Sequence, residues 1–170
     1  MLASSTRVAS TFKARAIDAR AFFGLGMSKN KIKPIDVAQG FGKALDHDDF
    51  ASVKGLIRPD CVYTVGESTH TGPDAIAASY EQNMTEGRAR LDEVVCGQSV
   101  VEAVGENEFL IHFTDHIKHK GKSFIHRCKQ KITIGDDLRI VRIEFINDDN
   151  EAKRLQDFYE QVGVLSLIHI

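Results

Sequence analysis

The chain has 170 residues and a mass of 18.9 kDa; 42% of its residues are hydrophobic, 27% are charged, and the formal net charge is -2. That length suits one domain able to bury a real core. The near-neutral balance removes the electrostatic argument for nucleic acid, and no apolar run approaches the roughly 20 residues needed to cross a bilayer. Cys61, Cys96 and Cys128 stand in no metal-like spacing, which argues against a disulfide scaffold or a zinc knuckle and for an intracellular domain with free thiols, not a secreted one.

Residues 1–26 carry Arg7, Lys13, Arg15 and Arg20 against one acid, Asp18, among Ser, Thr and Ala. The segment resembles a mitochondrial transit peptide; the other reading is an in-frame extension upstream of Met27. The expected location is therefore the cytoplasm, or the mitochondrial matrix if the leader is genuine. The last six residues, 165–170 (LSLIHI), resemble a translated sequencing adapter and are set aside. The domain is expected over 27–164.

Ile35 to Asp46 places Ala38, Phe41 and Leu45 on one face of a helix. Asp48 or Asp49 can cap a second helix bearing Phe50, Val53, Leu56 and Ile57. Pro59 disfavours helix at Arg58, so the chain turns there. Cys61 to Val65 is rich in strand formers, and Gly66-Glu67-Ser68 supplies a turn. Pro73 and Asp74 then open a third helix with Ile76, Tyr80 and Met84 on one side and Gly87 as its end. Arg90 to Asn147 reads as strands, broken near Gly105, Lys120-Gly121-Lys122 and Gly135. A last helix carries Leu155, Phe158, Tyr159 and Val162.

Helices first and a long antiparallel meander after them predict an α+β fold. The order over Phe41 to Tyr80, followed by the strand run, resembles the nuclear transport factor 2-like superfamily and its SnoaL-like domains. The resemblance implies a curved antiparallel sheet wrapped around N-terminal helices, a cone-shaped barrel with one apolar pocket.

Strand alternation sorts the side chains. One face of Glu108 to Lys118 carries Phe109, Ile111, Phe113, Asp115 and Ile117, and is expected to point inward. On the next strand His126, Cys128, Gln130, Ile132 and Ile134 do so, and on the last Val141, Ile143, Phe145 and Asn147. Buried polar groups without partners cost about 1–3 kcal/mol each, so Asp115, His126, Gln130 and Asn147, with Tyr63 and Tyr80, must pair or meet a ligand. A turn at Lys120-Gly121 puts Asp115 directly opposite His126, about 5 Å apart at Cβ, whereas a turn at Gly121-Lys122 makes them diagonal, about 7–8 Å apart. A carboxylate orienting an imidazole makes a competent general base near neutral pH. Asp115 and His126 are thus the candidate catalytic pair, and Tyr63, Tyr80, Phe113, Gln130, Asn147 and Phe41 the candidate ligand-binding residues. A structural tie between strands is the other reading of that pair.

Ketosteroid isomerase, a relative in that superfamily, supplies a mechanism to test. Its general-base aspartate falls at Val65, its oxyanion-hole tyrosine at Phe41 and its hydrogen-bonding aspartic acid near Gln130. Each departure removes a proton donor or acceptor, so that arrangement is not supported. Other relatives, scytalone dehydratase and the polyketide cyclases, use His, Asp and Tyr in the same cavity. His112 and His116 share a strand face but lie about 13 Å apart, too far to share a metal. Neither metal nor cofactor is expected. The expected partners are an apolar small molecule and a second copy of the chain across the outer sheet face. The function is then ligand binding with cofactor-free acid–base chemistry of the isomerase, cyclase or dehydratase type. The alternative is an interaction or assembly domain.

Overall fold

A computed structural model describes residues 31–164; the readings of the leader and of the last six residues fall outside them. Helix α1 (Pro34–Asp46) starts on Pro34, and α2 (Phe50–Leu56) starts on Asp49, whose side chain accepts from Ser52 N at 3.0 Å. Strand β1 (Ile57–Val65) and β2 (Ser68–Thr71) form a hairpin, and α3 (Pro73–Arg90) follows. Strands β3 (Glu93–Cys96), β4 (Val100–Ala103), β5 (Glu108–His119), β6 (Lys122–Ile134) and β7 (Ile140–Ile146) come next. Helix α4 (Asp149–Val162) ends the domain; Asp148 caps it by accepting from Asn150 N and Glu151 N, both at 3.1 Å.

The α+β class is as expected, and the sheet adds a feature that the meander did not announce. Its order is β2-β1-β7-β6-β5-β3, with β4 also paired to β5. All pairings are antiparallel except β1 with β7, which run parallel with Tyr63 beside Ile143. The sheet is therefore mixed and open. Strand β1 begins at Ile57, so Pro59 lies within it, in the stretch between Ile57 and Val62 where the register against β7 shifts. A proline is tolerated there because no regular ladder needs its missing N–H.

Two further expectations are corrected. Helix α3 continues through Gly87 to Arg90 and is capped by Leu91, whose N–H reaches Gly87 O at 3.0 Å. On β7, Ile134 pairs with Ile140 and Thr133 with Arg142, leaving Val141 as an extra residue. That bulge offsets the alternation at the start of the strand, so Ile140 is buried where Val141 was expected, while Ile143 is buried and Phe145 lines the interior as expected. Asn147, one residue past the strand, is exposed.

The β5–β6 hairpin is the longest pairing. It closes on Lys120-Gly121, both with positive φ (48° and 75°), the two-residue geometry whose twist matches the strands. Asp115 stands directly opposite His126. The inner face of this hairpin meets two separate apolar clusters. At one end Phe109, Ile111, Ile132 and Ile134 pack with Ala38, Phe41 and Ile76 of α1 and α3. At the turn end Ile117 and Phe124 pack with Phe158, Tyr159 and Val162 of α4. Between the clusters lie Phe113, Asp115, His126 and Cys128. Helix α1 approaches the sheet closely: a Cβ at Gly42 would lie 2.5 Å from Ser99 Oγ, so only glycine leaves room there.

Candidate functional site

The gap between the two clusters is a cavity of about 170 Å³. Its buried end is built by Tyr63 on β1, Tyr80 on α3 and Gln130 on β6, which are 2%, 8% and 5% exposed. The Tyr63 and Tyr80 rings stack with centroids 5.2 Å apart, and Tyr80 Oη donates to Gln130 Oε1 at 2.8 Å. Burial pushes both phenols well above their ordinary range, so they stay neutral and act as hydrogen-bonding hydroxyls. Phe113 and Phe145 line the middle.

Of the residues predicted from the sequence, Tyr63, Tyr80, Phe113, Asp115, His126 and Gln130 meet at this one cavity. Phe41 does not line it. It is fully buried behind Tyr80, ring edge to face at 6.2 Å, and supports that tyrosine without touching the space. Asn147 belongs to a second cavity of about 140 Å³ between β6, the end of β7 and α4.

Asp115 and His126 face each other, but the ring is held by a different carboxylate. His126 Nδ1 lies 3.3 Å from Glu151 Oε1, and that oxygen also accepts Arg127 N at 2.8 Å. Glu151 Oε2 takes a short contact from Arg154. Strand β7 pairs with β6 only up to Lys129, so the Arg127 N–H would otherwise lack a ladder partner. A carboxylate can only accept, so Nδ1 carries the proton and Nε2 is the basic nitrogen of the neutral ring. Among the described residues none hydrogen-bonds Nε2.

Asp115 faces Cys96, its register partner on β3. Burial is the larger influence and raises the Asp115 pKa, assisted by the charge of Asp46; His126 and the thiol oppose the shift. Asp46, at the end of α1, also borders the cavity and is fixed by Ser99 N at 2.9 Å and Ser99 Oγ at 2.8 Å. Cys96 and Cys128 are pushed up to about 12 by burial, which makes them inert thiols rather than nucleophiles. Among the described residues no group of three His, Cys, Asp or Glu could hold a metal ion.

Sequence reasoning missed Glu151, Leu155 and Tyr159, through which α4 contributes to the site. The signal was present: the three recur at i, i+4 and i+8, so Glu151 shares the apolar stripe of its helix.

No family profile matches the sequence, and no curated protein matches it either. Solved structures do share its fold. A Mycobacterium tuberculosis LEH-like epoxide hydrolase is 19% identical, with 76% of this chain and 95% of that one covered and a TM-score of 0.53. TerC, co-crystallized with polyporic acid, is 14% identical over 73% of this chain and 98% of that one, with a TM-score of 0.55. A second M. tuberculosis protein, in complex with estradiol-17beta-hemisuccinate, is 14% identical over 71% and 98%, with a TM-score of 0.51. The chain shares the α+β fold of these solved structures.

Proposed function

We propose that this domain binds an apolar, oxygen-bearing small molecule in the 170 Å³ cavity and moves a proton on it without a cofactor. The observation that carries the reading is the state of His126. Its Nδ1 is engaged by Glu151, and its basic Nε2 is unpartnered among the described residues, in a ring that lines the cavity opposite Asp115. His126 takes a proton from a carbon next to a carbonyl group of the ligand. The electron pair released moves onto the ligand oxygen, and the Asp115 carboxyl, favoured in its protonated form by burial, donates to that oxygen. Gln130, with its Oε1 already committed to Tyr80, offers its amide N–H₂ as an orienting donor. Isomerisation, cyclisation and dehydration all contain this exchange, and the proteins that share the fold include an LEH-like epoxide hydrolase, TerC with polyporic acid and a protein in complex with estradiol-17beta-hemisuccinate.

The test is solvent-deuterium incorporation at the acidic carbon of 2-tetralone, followed by NMR. The wild-type chain accelerates exchange over buffer, and His126→Ala lowers the acceleration about 10²–10⁴-fold, the usual contribution of a general base. Exchange at the buffer rate, or unchanged in the variant, sinks the proton-transfer reading and leaves ligand binding without turnover.

A further inference from the structure

The two cavities share His126, Cys128, Phe145, Leu155 and Tyr159 as common walls. The first ends in the buried tyrosine–glutamine cluster. The second reaches solvent beside Asn147 and Ala152, both exposed, and Ile146 and Leu155 add to its apolar lining. His126 and Tyr159 therefore form a waist with a space on either side. Volume bears on what fits. An apolar cavity of about 150 Å³ accommodates one benzene ring, whereas sites for drug-sized ligands run from about 300 Å³ upward. Each space here, at about 170 Å³ and 140 Å³, takes one ring unit.

We infer that the two cavities are halves of one site for an elongated, two-ring ligand, with its reacting oxygen function at the waist beside His126. The inference rests on the proposed ligand-binding role of the inner cavity and adds a distal subsite to it. The inner ring lies against Tyr63 and Tyr80. The outer ring lies between Ile146, Ala152 and Leu155 at the notch where β7 stops and α4 begins. The apolar character of that notch follows from the chain path. Strand β7 leaves β6 after Ile146, and the first turns of α4 cover the vacated edge with Ala152 and Leu155, while Glu151 satisfies the exposed backbone of Arg127. What remains is an apolar recess with its nearest polar demands already met, which suits a hydrocarbon ring better than a charged group.

The experiment compares acetophenone with benzophenone, whose carbonyl stands between its two rings, by calorimetric titration in the wild-type chain and in Ala152→Trp. Position 152 is an exposed helix site, so the substitution fills the notch without disturbing the core, and thermal unfolding checks this. The expected result is at least tenfold tighter binding of benzophenone than of acetophenone by wild type. The variant should lose about tenfold for the two-ring probe and nothing for the one-ring probe. Acetophenone binding with no gain for benzophenone, or an equal effect of Ala152→Trp on both probes, overturns the distal subsite and leaves the inner cavity standing. Binding of neither probe overturns both.

Discussion

The Tyr80–Gln130 bond offers a quantitative test of how the cavity floor is held. Both side chains are buried and the contact is 2.8 Å. Tyr80→Phe keeps the ring, its stacking on Tyr63 and nearly all the packing, and leaves Gln130 Oε1 without its donor. An unsatisfied buried acceptor costs about 1–3 kcal/mol. Gln130→Met keeps length and volume and leaves the Tyr80 hydroxyl without its acceptor. The Tyr63 hydroxyl is close enough to hydrogen-bond with Tyr80 and recovers part of that loss, so this variant falls at the lower end of the range. The double variant has no stranded group and should be less destabilised than Tyr80→Phe alone, since replacing both partners by apolar groups of similar shape is nearly neutral. For a domain of this size each kcal/mol is worth roughly 3–5 °C in Tm. Urea unfolding of the four proteins, followed by circular dichroism at constant m-value, measures the coupling. Additive losses, with the double variant equal to the sum of the singles, would refute the claim that this bond, rather than packing alone, organises the cavity floor.

Three further outcomes follow from the same site. Asp115 has a folded-state pKa above its ordinary value of 3.8, so its contribution to stability is fully present below that pH and is lost as pH rises through the folded pKa. Asp115→Asn should therefore be more stable than wild type at pH 7, with the gap closing toward pH 4; thermal melts showing a gap that widens on acidification would contradict this. Glu151→Ala strips Arg127 N of its acceptor and His126 of its orienting partner. It should cost about 1–3 kcal/mol and shift the imidazole toward the Nε2-protonated tautomer in ¹⁵N NMR, whereas Glu151→Gln, which keeps an oxygen acceptor, should recover most of the stability. Cys61, Cys96 and Cys128, each pushed up to about 12, should resist iodoacetamide at pH 8 and react once urea unfolds the domain; rapid native labelling would show that the thiols are less enclosed than described.

Much of the site could be read from local pattern. The alternation along β5 and β6 placed Asp115, His126 and Gln130 on one face, but Lys120-Gly121 and Gly121-Lys122 were both possible two-residue turns, and the structure takes the first, which sets Asp115 directly opposite His126. Where the pattern was broken by one residue, the reading failed. The bulge at Val141 moved the first buried position of β7 to Ile140, leaving Ile143 and Phe145 as read, and Asn147 passed out of the strand altogether. The partnership of β1 with β7 was illegible for another reason: parallel pairing between distant segments leaves no turn in the sequence to announce it. Glu151 was overlooked because a carboxylate in a first helical turn ordinarily faces water and favours the helix dipole. Here it faces the interior, where one strand has ended early and its neighbour needs an acceptor.

The parallel seam between β1 and β7 also fixes the order in which the site can come into being. Tyr63 and Ile57 find their strand partners in Ile143 and Ile140, and Tyr63 shares its cavity with Leu155 and Tyr159 of α4. A chain interrupted after Ile134 thus has its first three helices, the β1–β2 hairpin and the β3–β6 meander, yet β1 lacks the neighbour that joins it to the rest. During synthesis Tyr63, Tyr80, Asp115 and His126 emerge well before the strand that brings them around a common space. The cavity is assembled by the last segments to be made, and long-range closure of this kind is the slow step of folding. Until then Ile57, Cys61 and Tyr63 present an open apolar edge, the interval in which this domain is most exposed to misassociation.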